Sequence, residues 1–568
     1  MRSLPYLLYA LGFLCLAFTI EEDSYIYFRV AENIASGAGY VFNVGGEHIE
    51  TGSSPLWQYL LALVAACHVN LLFFAKIFSF ALGAGQIFLV QKISRELSDT
   101  WYMRYLPALA YCLSVPFLWW ANSGLETPLY TLILLYCLWL SLRAAPPRPL
   151  QAVAFVLLYF SRPEAILAVA VFAACLGVDR RRRRFALTAV LAVGLCAAAY
   201  EIFRIFYFHD LQISPFYAKI GKIGTPASAI DAYLMTGRLI WLLPAALAVI
   251  LIRPNRKTLT LVATTCAPLF FFVSNYDHKP FFRFLAPALP LLLILGFLGL
   301  DRLSGFLQRV IKQPRIHQFA GAYAAAACLA IIWTPRIPDT RSAGRIDAHN
   351  PIFDAAAAVA KNPLATFGYL YDKYRAPLQP RVLDGTFKAV NNRIIGDNYQ
   401  AQVGSFLAKN YPSARWVVYD QMGQTPYFAG PRFGFIDLLG LTTKSVGLMY
   451  FGERNEREKG TISIYRDVAD ATLRALVGST DRRISRQQEL DDIFAKEPEL
   501  ILIHMITAHN PGTLTHSLAT DPRLNQRYIP RYWLANLITV YERRDLNHEH
   551  DTLNIPPGLN VVPINGDH

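Results

Sequence analysis

Residues 21–30 read EEDSYIYFRV, directly after an apolar run from Leu4 to Ile20. Three acids stand where a chain has just left a membrane. Anionic headgroups repel carboxylates there, so Glu21, Glu22 and Asp23 help neither anchoring nor packing. The stretch that follows, SYIYFR, is aromatic with apolar character on both faces. At helical spacing Asp23, Tyr27 and Val30 share one side, and Arg29 lies elsewhere. Acids at a helix end are ordinarily solvated. Carboxylates set among such residues are partly desolvated instead, which raises their basicity and suits proton abstraction from a hydroxyl. Glu21, furthest from the aromatic stretch, is expected in solvent.

The rest of the chain sets this stretch in a membrane. Of 568 residues 54% are hydrophobic and only 17% charged, and the apolar blocks end near residue 334. The segments 4–20, 55–68, 70–91, 104–120, 127–143, 149–161, 163–178, 185–206, 238–252, 258–274, 284–300 and 318–334 are apolar. Residues 335–568 read as a soluble domain long enough to bury its own core. The expected class is an α-helical polytopic membrane protein (1–334) with a C-terminal α/β soluble domain (335–568). Strand-like runs at 415–420, 499–504 and 537–544 alternate there with polar helix-like stretches. That domain reads either as a lid that steadies the bundle or as an acceptor-binding module.

The formal charge of +13 does not point to nucleic acid, because many basic residues sit in short loops between apolar segments. Arg2, Lys92/Arg95, Arg143/Arg148, Arg180 to Arg184, Arg253/Arg256/Lys257 and Arg302/Arg309/Lys312/Arg315 all fall on one side if 55–68 lies along the surface. That gives about 11 transmembrane helices plus an interfacial helix, N-terminus in and C-terminal domain out. The N-terminal run has no clear small-residue cleavage site and reads as an uncleaved first helix. All eight cysteines fall in or beside apolar segments, without metal-ligand spacing.

The polar motifs then gather on the outer face: EEDSYIYFR, SGLET (123–127), RPE (162–164), PFYAK (215–219) and NYDHKPFFRF (275–284). Ionisable groups at a membrane boundary are functional candidates. Asp277 and His278, with Lys279 and Arg283, mix acid, imidazole and cations; the plain reading is a polar loop that caps the next helix. Lys76, Arg162, Arg204, Lys219, Lys222 and Arg283 are cations on the side where positive charge is disfavoured. Singly they snorkel to headgroups; together they suit a phosphate. Glu126 either steadies the helix start at Thr127-Pro128 or belongs to the site, and Arg162 pairs with Glu164 or with a ligand.

These motifs resemble the GT-C class of membrane glycosyltransferases, in particular bacterial polyprenyl-phosphate-sugar-dependent arabinofuranosyltransferases of the cell-wall and pilin type. The matching residues are Glu22-Asp23 with Ile26, Phe28 and Arg29, then Gly37, Gly39, Val41-Phe42-Asn43, Gly46, Glu50 and Pro55-Leu56-Trp57. SGLET, RPE, PFYAK, Asp277-His278 with Arg283, and GQTPYFAGPRFGFIDLLGLT (423–442) follow in order. Each is weak alone; their order and spacing are fairly specific.

The resemblance implies inverting transfer at the outer face of a bacterial cytoplasmic membrane. Asp23 would be the base, with Glu22 beside it. Arg29, Lys76, Glu126, Arg162, Arg204, Lys219, Asp277, His278 and Arg283 would bind substrate. The donor would be a polyprenyl-phosphate sugar, and the acceptor a glycan, lipid or protein. Some relatives use a divalent metal, and no metal set is read here. The family's first acid is usually Asp, so Glu22 carries one methylene too many and Asp23 is favoured as base. An O-antigen-type glycan ligase shares the topology but does not need the acid pair. A lipid-linked sugar flippase needs polar residues at mid-span. A non-catalytic assembly protein would leave the acids dispensable.

Overall fold

A computed structural model describes residues 3–17, 20–219, 239–252, 254–274, 279, 283–332, 399–457, 484–546 and 553–564. The chain packs as two compact units. One comprises Met1–Ile20, Leu72–Ala197 and Lys222–Thr386; the other Glu21–Leu71, Ala198–Gly221 and Phe387–His568. They interleave along the sequence and cut across the division at residues 334/335. The acid-bearing stretch thus packs with the C-terminal segment.

The first unit is helical. It holds α1 (Leu4–Cys15) and nearly all of α4 (Leu71–Leu97), while α2 (Ser24–Ala35) and α3 (Pro55–Ala66) belong to the other unit. Next come α5 (Trp101–Cys112), α6 (Val115–Asn122), α7 (Thr127–Leu142), α8 (Val153–Ser161), α9 (Ala165–Gly177) and the first half of α10 (Arg183–Phe208). Among the described residues, helices Leu243–Leu251, Arg256–Ser274, Leu289–Ile311 and Ile316–Ile332 follow in this unit. The apolar segment 104–120 is therefore two helices, parted at Leu113–Ser114, where Pro116 opens α6.

Small residues bring helices together. A Cβ on Gly299 would lie 1.8 Å from the Ala245 carbonyl oxygen, so only glycine lets these two helices meet. Leu187, Leu191 and Leu195 of α10 are exposed at four-residue spacing, a stripe suited to lipid. Among the described residues, three helices are long and apolar enough to cross a membrane: Leu71–Leu97, Arg183–Phe208 and Leu289–Ile311. The pair α6/α7, bent by 118°, makes a fourth if it is one span. Leu4–Cys15, Pro55–Ala66, Pro149–Ser161, Ala165–Gly177 and Ile316–Ile332 are shorter apolar helices. The chain is an integral membrane protein.

The second unit is built on a six-stranded sheet of order β2-β1-β3-β5-β4-β6. The strands are β1 (Trp416–Tyr419), β2 (Gly434–Asp437), β3 (Leu500–His504), β4 (Tyr528–Leu534), β5 (Ile538–Arg543) and β6 (Val561–Pro563). β2, β1 and β3 run parallel, and β3, β5, β4 and β6 are antiparallel. The three strand-like runs of the sequence are β1, β3 and β5. Alternation sends Val417, Tyr419, Leu500 and Leu502 to one face, where they share a core with Phe406, Phe433, Phe435 and with Ile26 and Val30 of α2. Val418, Ile436, Ile501 and Ile503 face Met449, Leu490, Phe494 and Leu514 on the other. The aromatic stretch after the acids is thus part of a soluble-type core.

Candidate functional site

In the second unit, α2 begins immediately after the acids, with Asp23 at its N-cap. Glu21 is buried at 4% exposure, contrary to the expectation of a solvated acid, while Glu22 and Asp23 are half-buried. Glu22 Oε1 accepts hydrogen bonds from the backbone N–H of Gly423 (2.6 Å) and Gln424 (3.3 Å). A Cβ at position 423 would stand 2.1 Å from the Glu22 carbonyl oxygen and 2.5 Å from Oε1, so glycine is what admits the acid. The Asp23 carboxylate does not cap its own helix. Glu22 thus holds the 423–424 loop, and Asp23 stands beside it at the N-cap of α2.

Arg29, expected among the substrate-binding residues, is instead a clamp. Its Nε donates to the Phe42 carbonyl (2.9 Å), Nη1 to those of Pro426 (2.5 Å) and Gly430 (3.2 Å), and Nη2 to that of Phe433 (2.5 Å). It is buried at 3% exposure, with its guanidinium over the Phe42 ring. A fork of five donors suits this carbonyl cage and leaves little for a ligand. Arg204 is likewise engaged by carboxylates. Its Nε lies 2.7 Å from Glu50 Oε2, its Nη1 pairs with Glu201, and Tyr200 donates to Glu50 at 2.7 Å. Within PFYAK, Tyr217 donates to Asp210, which also pairs with Lys444 at 3.0 Å. Lys219 ends the short helix α11 (Ser214–Lys219), half-buried.

In the first unit, charges collect at the bend between α6 and α7, where Gly124 takes φ +77°. Lys76 of α4 is buried and donates to the carbonyl of Asn122, the last residue of α6. Glu126, fully buried, precedes α7. Each charge complements the dipole of the half-helix end it meets. Arg283 Nη2 lies 2.5 Å from Glu126 Oε1, and Arg162 Nη1 lies 3.6 Å from the same oxygen. Arg162 Nε also pairs with Glu164 at 2.5 Å. Among the described residues, three cations (Lys76, Arg162, Arg283) and two acids (Glu126, Glu164) thus gather here. Asp277, His278 and Lys222 lie outside the described residues. Among those described, no three His, Cys, Asp or Glu side chains gather as a metal site.

Two structural contributors were not singled out as site residues in the sequence reading. Glu50 carries no distinguishing signal beyond its place in the G…E…PLW pattern. Asn43 brackets Phe435, its Oδ1 accepting from the backbone N–H (2.9 Å) and its Nδ2 donating to the carbonyl (2.8 Å). It thereby closes the open edge of β2.

Comparison with known proteins fits this architecture. A family described as a domain of unknown function (DUF8728) matches residues 392–548. The terminal beta-(1->2)-arabinofuranosyltransferase of Mycobacterium tuberculosis is 31% identical over 225 residues, 35% of this chain and 35% of that protein. The chain therefore spans about a third of that relative's length. The crystal structure of ArnT from Cupriavidus metallidurans bound to undecaprenyl phosphate superposes with a TM-score of 0.51 at 13% identity, over 94% of this chain and 96% of that one. The Archaeoglobus fulgidus oligosaccharyltransferase in its apo form gives 0.50 at 10% identity, over 98% and 76%. The resemblance to GT-C membrane glycosyltransferases, read from motifs, is thus borne out in the fold.

Proposed function

We propose that this chain is an inverting glycosyltransferase that moves a sugar from a polyprenyl-phosphate donor to an acceptor outside the cytoplasm. What supports the reading is the acid pair at the head of α2: Glu22 is tied to the 423–424 loop, and Asp23, half-buried beside it at the N-cap, is the base in this reading. In such a transfer the acceptor oxygen loses its proton to Asp23 and attacks the anomeric carbon. The bond from that carbon to the phosphate oxygen breaks, and the phosphate leaves with the electron pair. Leaving-group charge calls for cations. Lys76, Arg162 and Arg283, gathered in the first unit, suit a lipid phosphate in this reading, and Lys219 is proposed separately as a phosphate ligand.

The ArnT structure named above holds undecaprenyl phosphate, which supports a polyprenyl-phosphate donor here. The likeness to an arabinofuranosyltransferase supports arabinofuranose as the sugar. We place the chain in a bacterial cytoplasmic membrane with about eleven spans, residues 1–334 in the membrane part and 335–568 outside.

A panel of polyprenyl-phosphate sugars offered to the purified protein in nanodiscs, with mass analysis of the products, tests this. Transfer from the arabinofuranosyl donor is expected. Failure with every donor, in the presence of glycan, lipid and peptide acceptors, would refute the reading. The buried charges at a broken span also suit a lipid-linked sugar flippase; movement of donor across the bilayer without any transfer would favour it.

A further inference from the structure

We propose that Gln424, His504, Tyr399 and Gln400 form a subsite that binds the hydroxyls of a neutral sugar next to Glu22. To call it the acceptor subsite rests on the transferase reading; that it binds sugar does not.

The cluster lies in the second unit, at the carboxyl ends of β1 and β3. These strands run parallel and side by side. Ligands of α/β sheets gather at such ends, because the loops leaving parallel strands part there. Tyr419 closes β1 and His504 closes β3, and alternation from Val417 and from Leu502 puts both on the same face. His504 Nε2 shares a 2.7 Å hydrogen bond with the Tyr399 hydroxyl. Gln400 Oε1 accepts from Tyr419 (2.9 Å) and Thr425 (2.7 Å). Gln424 follows Gly423, and its own N–H reaches Glu22. The cluster and the half-buried acid are thus joined through one residue.

Three polar atoms in this cluster have no hydrogen-bond partner among the described residues. Gln424 is fully buried, and neither its Oε1 nor its Nε2 is hydrogen-bonded; His504 is 5% exposed, and its Nδ1 is likewise unpaired. Buried polar groups are nearly always paired, so each such atom asks for an occupant. Burial holds the His504 pKa below its usual value, so the ring is neutral at pH 7, with one donor and one acceptor nitrogen.

The chemistry selects the ligand. Amide, imidazole and phenol are neutral and both give and take hydrogen bonds, as vicinal sugar hydroxyls do. Among the described residues no cation belongs to the group, and Glu22 beside it repels an anion. An apolar ligand would leave all three atoms unpaired. A buried water is the competing occupant; it takes the same bonds, and a sugar hydroxyl that reproduces them displaces it without loss.

The test uses the full chain in nanodiscs with two synthetic neutral probes, an arabinofuranosyl trisaccharide and a mannosyl trisaccharide. Binding is followed by saturation-transfer NMR, separately from binding of polyprenyl phosphate. Wild type should bind at least one probe. Gln424→Met, which keeps the shape, should weaken it about tenfold, and Tyr399→Phe, which removes one hydroxyl, roughly three- to tenfold. Polyprenyl-phosphate binding should be unchanged in both. If Gln424→Met does not fold, Tyr399→Phe alone decides. Neither probe bound by wild type, or undiminished binding in the folded variants, overturns the subsite. A more heat-stable Gln424→Met with unchanged sugar binding would mean that the amide holds only water. Sugar binding that the variants weaken, in a protein that transfers nothing, would leave the subsite standing and remove the transferase reading.

Discussion

Of the two adjacent carboxylates, Glu22 accepts from the backbone of the 423–424 loop, and Asp23 is the proposed base. Glu22→Gln keeps an acceptor oxygen for the N–H groups of Gly423 and Gln424, so it should reduce transfer less than Asp23→Asn. Asp23→Asn keeps shape but not basicity. General-base catalysis is worth about 10² to 10⁴-fold, so transfer of labelled sugar should fall by at least about a hundredfold with donor binding intact. Near wild-type turnover in Asp23→Asn would move the base elsewhere, with Asp277 next. Asp420 makes a second test, on stability. Burial pushes its pKa from an ordinary 3.8 up to about 6, although Thr507 and Thr515 donate to it. An acid whose pKa is higher folded than unfolded takes up a proton on folding, so its contribution to stability falls as pH rises from about 4 to about 6 and is flat above. Asp420→Asn removes that charge. Its stability relative to wild type should therefore rise across this window by a total of about 3 kcal/mol, read by thermal unfolding in detergent from pH 4 to 7; a constant gap would refute the buried-charge account. The sequence exposed the acid pair and the Phe-Arg motif, but not what they do. The 423–424 loop that Glu22 holds and three of the four carbonyls that Arg29 holds lie about 400 residues away, beyond the reach of local spacing, and Glu21 is buried by tertiary packing that the preceding span does not foretell.

At the scale of elements, the bend between α6 and α7 is where charge and backbone meet. Apolar runs located the helices well, since a helix in lipid must satisfy its backbone internally and shows as a hydrophobic block. The same runs merged α5 with α6, because the break at Leu113–Ser114 is itself apolar apart from one serine. The ion group at the bend was half legible. The Arg162–Glu164 pair is local, whereas Arg283 reaches Glu126 from 157 residues away. Removing the charge of Glu126 leaves two buried guanidinium groups short of a partner. Glu126→Gln should cost about 3–5 kcal/mol, seen as lost yield and a lower melting temperature in detergent. Arg283→Ala should weaken donor binding while the protein still inserts, and Arg283→Lys should not fully restore it, since an ammonium cannot replace the guanidinium fork toward both Glu126 and a phosphate. Unchanged donor affinity in Arg283→Ala would exclude it as a phosphate ligand, and the same outcome in Lys219→Ala would exclude Lys219.

Over the whole molecule, sequence order and packing diverge. Charge in loops speaks about which side of a membrane a segment occupies, whereas contact speaks about what it packs against. The stretch 21–71 is therefore early in the chain yet folds with the C-terminal sheet, through Ile26, Val30, Tyr40 and Phe42. Hydrophobic blocks cannot announce this, because the apolar face of α2 is spent on a soluble core and not on lipid. The helix α3 carries the same ambiguity: it is apolar and short, and whether it spans decides the side of every later loop. With α3 along the outer surface, the loop after α7 is cytoplasmic and the sheet domain is outside. In a background without native cysteines, Ala145→Cys, an exposed position, should then react with a membrane-impermeant maleimide only after the membrane is opened. Asn510→Cys, exposed in the sheet domain, should react in intact spheroplasts. Reaction of Ala145→Cys in intact spheroplasts would make α3 a span, invert the loops that follow it, and place Arg162 and Arg283 on the side where lipid-linked donors are made and not where this reading has them used.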